Sequence, residues 1–111
     1  MGPFAAGQVI TVQFPFSDLS ASKLRPAVVL AGAGRGDWIL CQITGKSYGD
    51  TRSVPLCAAD FAKGSLQMES FVRPGKLFTA HTSLMASEVG VLHTAKFVAI
   101  RDAVVRMIRH G

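Results

Sequence analysis

Residues 7–30 read GQVITVQFPFSDLSASKLRPAVVL, and their pattern decides the class of fold. Within residues 8–14, an apolar side chain recurs at every second position, which predicts a β-strand. The next ten residues, 15–24, are rich in Ser and Asp and predict a loop. The proline after Arg25 biases that arginine towards an extended backbone, and residues 27–31 predict a short buried strand. The stretch therefore predicts two consecutive strands joined by a polar loop.

Short strand patterns continue along the chain beyond this stretch. Further strands are predicted at residues 38–44, 52–56, 68–73, 76–80 and 88–92. The segment GAGRGD, residues 32–37, resembles part of a phosphate-binding loop, but it lies between two strands and is typical of a hairpin turn. A single helical turn is predicted at residues 57–63. The pattern is therefore that of an antiparallel, mainly β protein.

The hydrophobic period changes near the end of the chain. Phe97, Ile100 and Val104, followed by Met107 or Ile108, recur at spacings of three and four, which predicts an amphipathic helix. The preceding Thr94 is the predicted N-cap. Seven short strands and one closing helix predict a small, partly open β-barrel with a C-terminal α-helix, formed by residues 1–111 as a single domain.

Composition limits the classes of protein that this chain can form. Hydrophobic residues make up 49% of its 111 residues and charged residues only 17%, which excludes intrinsic disorder. The length excludes a multidomain enzyme. Twelve Lys and Arg residues against seven Asp and Glu give a net charge of +5, which favours a polyanionic partner. The high apolar content predicts that a second subunit covers part of the surface.

Cysteines, histidines and targeting patterns give mostly negative expectations. No signal peptide or membrane-spanning stretch is recognised, so a cytoplasmic protein that does not bind membranes is predicted. Cys41 and Cys57 are predicted to be reduced, buried thiols. His81, His93 and His110 are interpreted as surface or junction residues, because no pair has metal-ligand spacing. No metal and no cofactor are therefore predicted.

The strand at residues 38–44 has two distinguishable faces. Ile39, Cys41 and Ile43 share the predicted core face. Gln42 and Thr44 share the other face, near the end of the strand. Because polar residues at a strand end are available to a ligand, this end of the strand is a candidate functional position.

Arg25 and Thr44 are the candidate pair for chemistry. If residues 27–31 and 38–44 form a hairpin through the glycine-rich turn, both side chains come to its open end. An ordinary surface cation and an ordinary strand threonine remain alternatives at this point.

Four stretches follow one another in the order of a known family. They are residues 7–30, ILCQITGK at 39–46, ESFVRPGKLFTAH at 69–81, and GVLHTAKFVAIRDAVVRMI at 90–108. In these stretches the chain resembles the MazF/PemK family of toxins from bacterial toxin–antitoxin systems. The pattern within residues 7–30 is the specific one, whereas the terminal helix alone would not distinguish the family.

The resemblance implies a fold, an activity and partners. It implies an SH3-like barrel, a homodimer, and a metal-independent, sequence-selective endoribonuclease that cleaves single-stranded mRNA to 2′,3′-cyclic phosphate and 5′-hydroxyl ends. Arg25 and Thr44 correspond to the family's positions at the scissile phosphate. The loop at residues 15–24 would border the RNA groove. A cognate antitoxin similar to MazE or PemI would occupy the same groove and inhibit the toxin.

Nine further residues are the RNA-binding candidates under this resemblance. They are Ser17, Asp18, Ser22, Lys23, Gln42, Lys46, Arg52, Lys76 and Thr79. Scattered surface cations remain an alternative interpretation of Lys46 and Arg52, as they do of Arg73. Some relatives carry an arginine before the threonine at position 79, where this chain has Phe78. Either Lys76 replaces that charge, or this chain recognises a different RNA sequence.

Two other functions fit the same class of fold. One is a toxin similar to the CcdB-type gyrase poisons, which binds a protein and cleaves nothing; its action would depend on residues 107–111. The other is a barrel that binds RNA or an antitoxin and has lost catalysis. Cleavage of RNA by the purified protein separates both alternatives from the endoribonuclease.

Overall fold

A computed structural model describes residues 4–15, 22–47 and 49–111 of the chain. In this part of the chain, seven strands precede one α-helix. They are β1 (Gln8–Pro15), β2 (Ser22–Gly34), β3 (Asp37–Thr44), β4 (Val54–Leu56), β5 (Phe61–Gly64), β6 (Ser70–His81), β7 (Met85–Leu92) and α1 (Thr94–His110). Single 3₁₀ turns at Ala58–Asp60 and Thr82–Leu84 precede β5 and β7. The predicted mainly β fold with a C-terminal helix is confirmed.

The seven strands form one antiparallel sheet in the order β4-β6-β3-β2-β1-β7-β5. One hydrophobic cluster contains a residue from every strand, including Leu56 of β4 and Phe61 of β5 at the two edges, and also Ile100 and Val104 of α1. Edge strands meet in one cluster only if the sheet curls around it. The sheet is therefore a half-barrel whose apolar cluster is closed by α1, which confirms the predicted partly open barrel.

A second hydrophobic cluster lies on the opposite face of the central strands. Ala27 and Val29 of β2 belong to it, whereas Val28 between them belongs to the first cluster. In β3, Leu40 is fully buried in the second cluster and Cys41 in the first. The prediction that only the face of Cys41 forms core is therefore incomplete, because successive side chains point to opposite faces and both faces are covered.

The longest strand, β6, differs from its prediction. Two strands separated by Pro74 were predicted, but β6 runs without a break through Ser70–His81. The register against β3 changes between Cys41↔Leu77 and Ile43↔Val72, so β6 carries extra residues there. A bulge of this kind accommodates a proline, which has no N–H to donate to the ladder. Pro74 is fully buried within it.

Other element boundaries also differ from the predictions. Residues 22–24 belong to β2 and not to the predicted loop, because they pair with β1 as far as Pro15↔Ser22. The helical turn predicted at 57–63 is a 3₁₀ turn followed by β5, and β4 and β7 begin at Val54 and Met85. These segments are short, and pairing with neighbouring strands decides their conformation.

The N-cap of the helix α1 lies one residue before the predicted cap, Thr94. His93 is the N-cap, with an extended backbone and no side-chain capping bond, and Thr94 is already helical. The His93 amide instead donates to the carbonyl of Asp60 at 2.9 Å, which ties the start of the helix to the turn before β5. Ile100 and Val104 are buried, whereas Ile108 is 73% exposed. No helix in the described ranges is long and apolar enough to cross a membrane.

The two cysteines lie in different environments. Cys41 is fully buried, its Sγ donates to the carbonyl of Arg73 at 3.1 Å, and burial raises its pKa to about 12. Cys57 is exposed, so the prediction of two buried thiols is wrong for this residue. It follows the short strand β4 and precedes the 3₁₀ turn, where neither face of the sheet covers it.

Candidate functional site

The hairpin of β2 and β3 brings the candidate pair together. The register runs from Gly34↔Asp37 at the turn to Ala27↔Gln42 at the open end. Continued by two residues, the same register sets Arg25 opposite Thr44, because antiparallel partners advance in opposite directions. On its other side Arg25 pairs with Val12 of β1. The pair therefore lies at the open end of three adjacent strands.

Arg25, Gln42 and Thr44 project from the same face of the sheet. Residues directly opposite each other in an antiparallel pair project from the same face of the sheet. Arg25 therefore lies on the same face as its partner Val12, and Gln42 lies on the same face as its partner Ala27. Val12 and Ala27 are fully buried in the second hydrophobic cluster, whereas Arg25 is exposed and Thr44 half-buried. The polar groups thus stand at the edge of the second hydrophobic cluster, with the Arg25 side chain directed towards solvent.

The hydroxyl of Thr44 is oriented by the loop that follows it. Its Oγ1 accepts a hydrogen bond from the backbone amide of Lys46 at 3.3 Å. Since the hydroxyl accepts this bond, it keeps its own proton for donation to a ligand. The side chain of Lys46, two residues after Thr44, is exposed. A hydrogen-bond donor and two cations, Lys46 and Arg25, therefore lie at the end of the hairpin.

Asp50 fastens the loop after β3 to β6. Its Oδ1 accepts from the Arg52 amide at 2.9 Å, and its Oδ2 accepts from Arg73 Nε at 3.3 Å. The hydrogen bond from the Arg52 amide, supported by the Arg73 guanidinium, outweighs partial burial and lowers the pKa of Asp50. Arg73 is thereby engaged in a structural ion pair. Sequence reasoning missed the role of Asp50, because only the bulged register of β6 brings Arg73 to it.

The lowered pKa of Asp50 makes part of the stability dependent on pH. In the folded state the carboxylate is favoured, so its contribution is present above about pH 4 and is lost as the pH falls through the folded-state pKa. We expect Asp50→Asn to be less stable than the wild type at pH 6, and the two to converge as the pH falls towards 3. Urea unfolding at a series of pH values measures the difference, and parallel curves would contradict the assigned role.

The structure places the other predicted RNA-binding residues in several positions. Lys76 is exposed and lies in the bulge of β6, next to Leu77, which pairs with Cys41 of β3. Thr79 pairs with Ile39 and projects from the opposite face, so the structure does not bring it to Arg25 and Thr44. Arg52 is exposed in the loop after β3.

The remaining predicted residues belong to the start of β2 and to the segment before it. Ser22 and Lys23 lie in β2 and pair with Pro15 and Phe14. Ser17 and Asp18 lie outside the described residues.

Clusters of side chains that could bind a metal ion are not found in the described ranges. No three of their His, Cys, Asp and Glu side chains are grouped as ligands for a metal ion. His81, His93 and His110 are all exposed: His81 ends β6, His93 lies at the junction between β7 and α1, and His110 ends α1. At the candidate site, Arg25, Thr44 and Lys46 offer hydrogen bonding and positive charge to an anion.

Comparison with protein families gives a match over most of the chain. The family described as PemK-like, MazF-like toxin of type II toxin–antitoxin system matches residues 5–108. No curated protein matches the chain in sequence.

Solved structures share the fold at low sequence identity. One is the MazE–MazF complex (Form-III) from Deinococcus radiodurans, with a TM-score of 0.74 and 19% identity, covering 96% of both chains. The Mycobacterium tuberculosis toxin MazF-mt6 has a TM-score of 0.72 and 18% identity, covering 92% of this chain and 96% of that one. An endoribonuclease in complex with its cognate antitoxin, from a mycobacterial species, has a TM-score of 0.74 and 13% identity, covering 98% and 96%.

Proposed function

The chain belongs to the family of PemK-like, MazF-like toxins of type II toxin–antitoxin systems, and from this premise we propose that it is a metal-independent endoribonuclease that cleaves single-stranded mRNA, with Arg25 and Thr44 acting on the cleaved phosphate. The observation that carries the proposal is the β2–β3 register, which is formed as far as Ala27↔Gln42 and, continued by two residues, would set Arg25 opposite Thr44. Both match the family's motif positions. Their side chains are those that a phosphate requires.

The chemistry follows from the groups available. The ribose 2′-oxygen loses its proton and attacks the adjacent phosphorus, and the bond to the 5′-oxygen breaks as that oxygen gains a proton. The products are a 2′,3′-cyclic phosphate and a 5′-hydroxyl. Arg25 stabilises the additional negative charge of the phosphorane with a planar fork of donors, and Thr44 donates a hydrogen bond to the same group. Arginine is a poor base, since its pKa exceeds about 12, so we assign Arg25 an electrostatic role.

The surface around the pair supports a nucleic-acid strand as substrate. Gln42 shares the face of Thr44, and the exposed Lys46 and Lys76 supply positive charge nearby. The net charge of +5 also favours the binding of a polyanion such as RNA. An mRNA substrate implies that the protein acts in the cytoplasm.

Two protein partners are part of the proposal. A second copy of the chain would cover apolar surface, since Leu24, Met68, Leu77 and Leu84 are each more than a third exposed. A MazE- or PemI-like antitoxin would bind over the site and block RNA; structural relatives described as MazE–MazF and as an endoribonuclease with its cognate antitoxin support this partner.

Cleavage of RNA in the presence of a chelator tests the proposed activity. We expect the purified protein to cut single-stranded RNA in EDTA, and the new 3′ ends to carry a cyclic phosphate. We also expect cleavage at limiting RNA to weaken as salt rises, because phosphate contacts release counterions. Growth arrest on expression without cleavage of any RNA would overturn the proposal and favour a toxin that acts by binding a protein such as gyrase.

A further inference from the structure

The helix α1 and the segment before β4 enclose a groove that the site described above does not include. It has a volume of about 540 Å³. Its walls include Thr51 and Arg52 on one side, and Asp102, Arg106 and His110 on the other. The three helical residues recur at intervals of four and therefore share one face of α1. We refer to this space as the helix groove.

Positive charge dominates the walls of the helix groove. Arg52 and Arg106 are exposed, and neither takes part in an ion pair within the described ranges. Two carboxylates lie near these arginines: Asp102 lines the groove and is 3.7 Å from Arg101 Nε, and Asp50 is 3.3 Å from Arg73 Nε and also feels the charge of Arg52. Two guanidinium groups and one carboxylate therefore line the groove, which leaves a net positive charge that suits a phosphate.

The floor of the helix groove is apolar. Val54 of β4 and Met107 of α1 line it, together with two alanines of the helix. Thr51 adds a hydroxyl to the wall on the side of Arg52. An apolar floor below two cations fits a nucleotide, whose base or sugar packs on the floor while its phosphate contacts the arginines. An acidic peptide could use the same charges, and the experiment below includes it as an outcome that would overturn the inference.

The groove lies within reach of the proposed cleavage site. Thr44 pairs with Phe71 of β6, and Phe71 pairs in turn with Pro55 of β4. Two strand spacings, about 10 Å, therefore separate the backbone of Thr44 from β4 at the edge of the sheet. Thr44 lies on the face of the second hydrophobic cluster and the groove on the face covered by α1, so an RNA strand would pass around the edge strand β4 to join them. The loop between them carries the exposed Lys46 and Arg52 and one carboxylate, Asp50, which is paired with Arg73.

From these observations we infer that the helix groove binds a nucleotide of the RNA strand that flanks the cleaved phosphate, with Arg106 and Arg52 contacting its phosphate. The inference rests on the proposed function for the identity of the strand, and it adds a binding subsite on the helix side of the sheet. Arg106 is a binding residue there and takes no part in the reaction at Arg25. Removal of the Arg106 side chain therefore weakens the binding of long RNA strands.

Binding of an RNA that cannot be cleaved tests this inference. The probe is a long, mixed-sequence, fluorescently labelled 2′-O-methyl RNA, which lacks the attacking hydroxyl, and the full chain is titrated by fluorescence anisotropy at several salt concentrations. We expect Arg106→Ser to weaken binding about fivefold and to make the dependence of log K on log salt shallower by about 0.7, the change for one phosphate contact on a single strand. Arg106→Lys, which keeps the charge, should keep the wild-type slope.

A charge-matched control uses Arg35, which lies in the turn between β2 and β3 at the end of β3 away from Thr44. Its φ of 57° is in the left-handed region, which asparagine tolerates, so Arg35→Asn removes one charge without strain. Near-wild-type binding by this variant, with all variants folded by circular dichroism, supports a specific contact at Arg106. Equal binding by wild type and Arg106→Ser would overturn the inference. Unchanged RNA binding with weaker association to an antitoxin would overturn it too and assign the groove to a protein.

The two proposals fail separately in this design. If the wild type does not cleave unmodified RNA but Arg106→Ser still weakens binding of the probe, the proposed activity is wrong and the helix groove remains a nucleic-acid site. If the wild type cleaves and Arg106→Ser binds the probe as the wild type does, only the groove is wrong.

Discussion

Replacing Arg25 by alanine is expected to slow RNA cleavage about a hundredfold, a loss of roughly 3 kcal/mol of transition-state stabilisation. The reason is the negative charge that develops on the phosphorane, which the guanidinium stabilises with two parallel hydrogen-bond donors. The measurement is the single-turnover rate on a single-stranded RNA that the wild type cleaves, in EDTA. Circular dichroism and thermal unfolding verify that the variant is folded.

Two control variants separate the contribution of geometry from that of charge. Arg25→Lys keeps the positive charge but loses the planar fork, so its rate should fall between those of the wild type and Arg25→Ala. Arg35→Asn removes an equal charge at the turn between β2 and β3 and should cleave at close to the wild-type rate. If a folded Arg25→Ala protein cleaves RNA at the wild-type rate, Arg25 is not part of the catalytic site.

Replacing Ile100 by alanine is expected to lower the free energy of unfolding by about 3 kcal/mol, within the range of about 2 to 5 kcal/mol for such truncations in a core. Ile100 is fully buried in the cluster that contains a residue from each of the seven described strands. The truncation removes contacts and leaves a cavity where α1 closes the half-barrel. Because the total free energy of unfolding of a small domain is about 5 to 15 kcal/mol, the variant loses a large part of its stability. Urea unfolding at neutral pH measures the change.

The same helix supplies a matched control for this variant. Ile108 is 73% exposed, so Ile108→Ala removes the same atoms from a position where they are largely in water. Its effect should stay within about 0.5 kcal/mol. Similar losses for both variants would contradict the assignment of Ile100 to the shared core and of Ile108 to the surface.

Local patterns in the sequence were sufficient for several elements. The alternation in residues 8–14 predicts β1 because side chains of a strand point to opposite faces, and that property needs no partner. The spacing of Phe97, Ile100 and Val104 predicts α1 for a similar reason, since a helical face is set by its own period. These predictions are confirmed by β1 and α1, with small differences at the ends.

Elements that depend on a neighbour were predicted less well. Pro74 and Gly75 indicated the end of a strand, but β6 continues because pairing with β3 on both sides of a bulge stabilises the extended chain. Cys57 is apolar in sequence context, and only its position after a short edge strand leaves it exposed. Propensity is a property of a few residues, whereas burial depends on the elements that surround them.

The candidate site likewise combines features that the sequence predicted with features that only the tertiary structure shows. The sequence alone determined that Arg25 and Thr44 would meet if their strands formed a hairpin, because a short glycine-rich turn limits the possible registers. The tertiary structure decided that both belong to a face with a buried apolar base, that Thr79 projects from the other face, and that Asp50 meets Arg73. It also decided that Arg52 and Arg106, far apart in sequence, face one groove. The physical reason is that periodicity specifies the direction of a side chain relative to its own strand or helix, while the curl of the sheet and the docking of α1 determine which other side chains it meets.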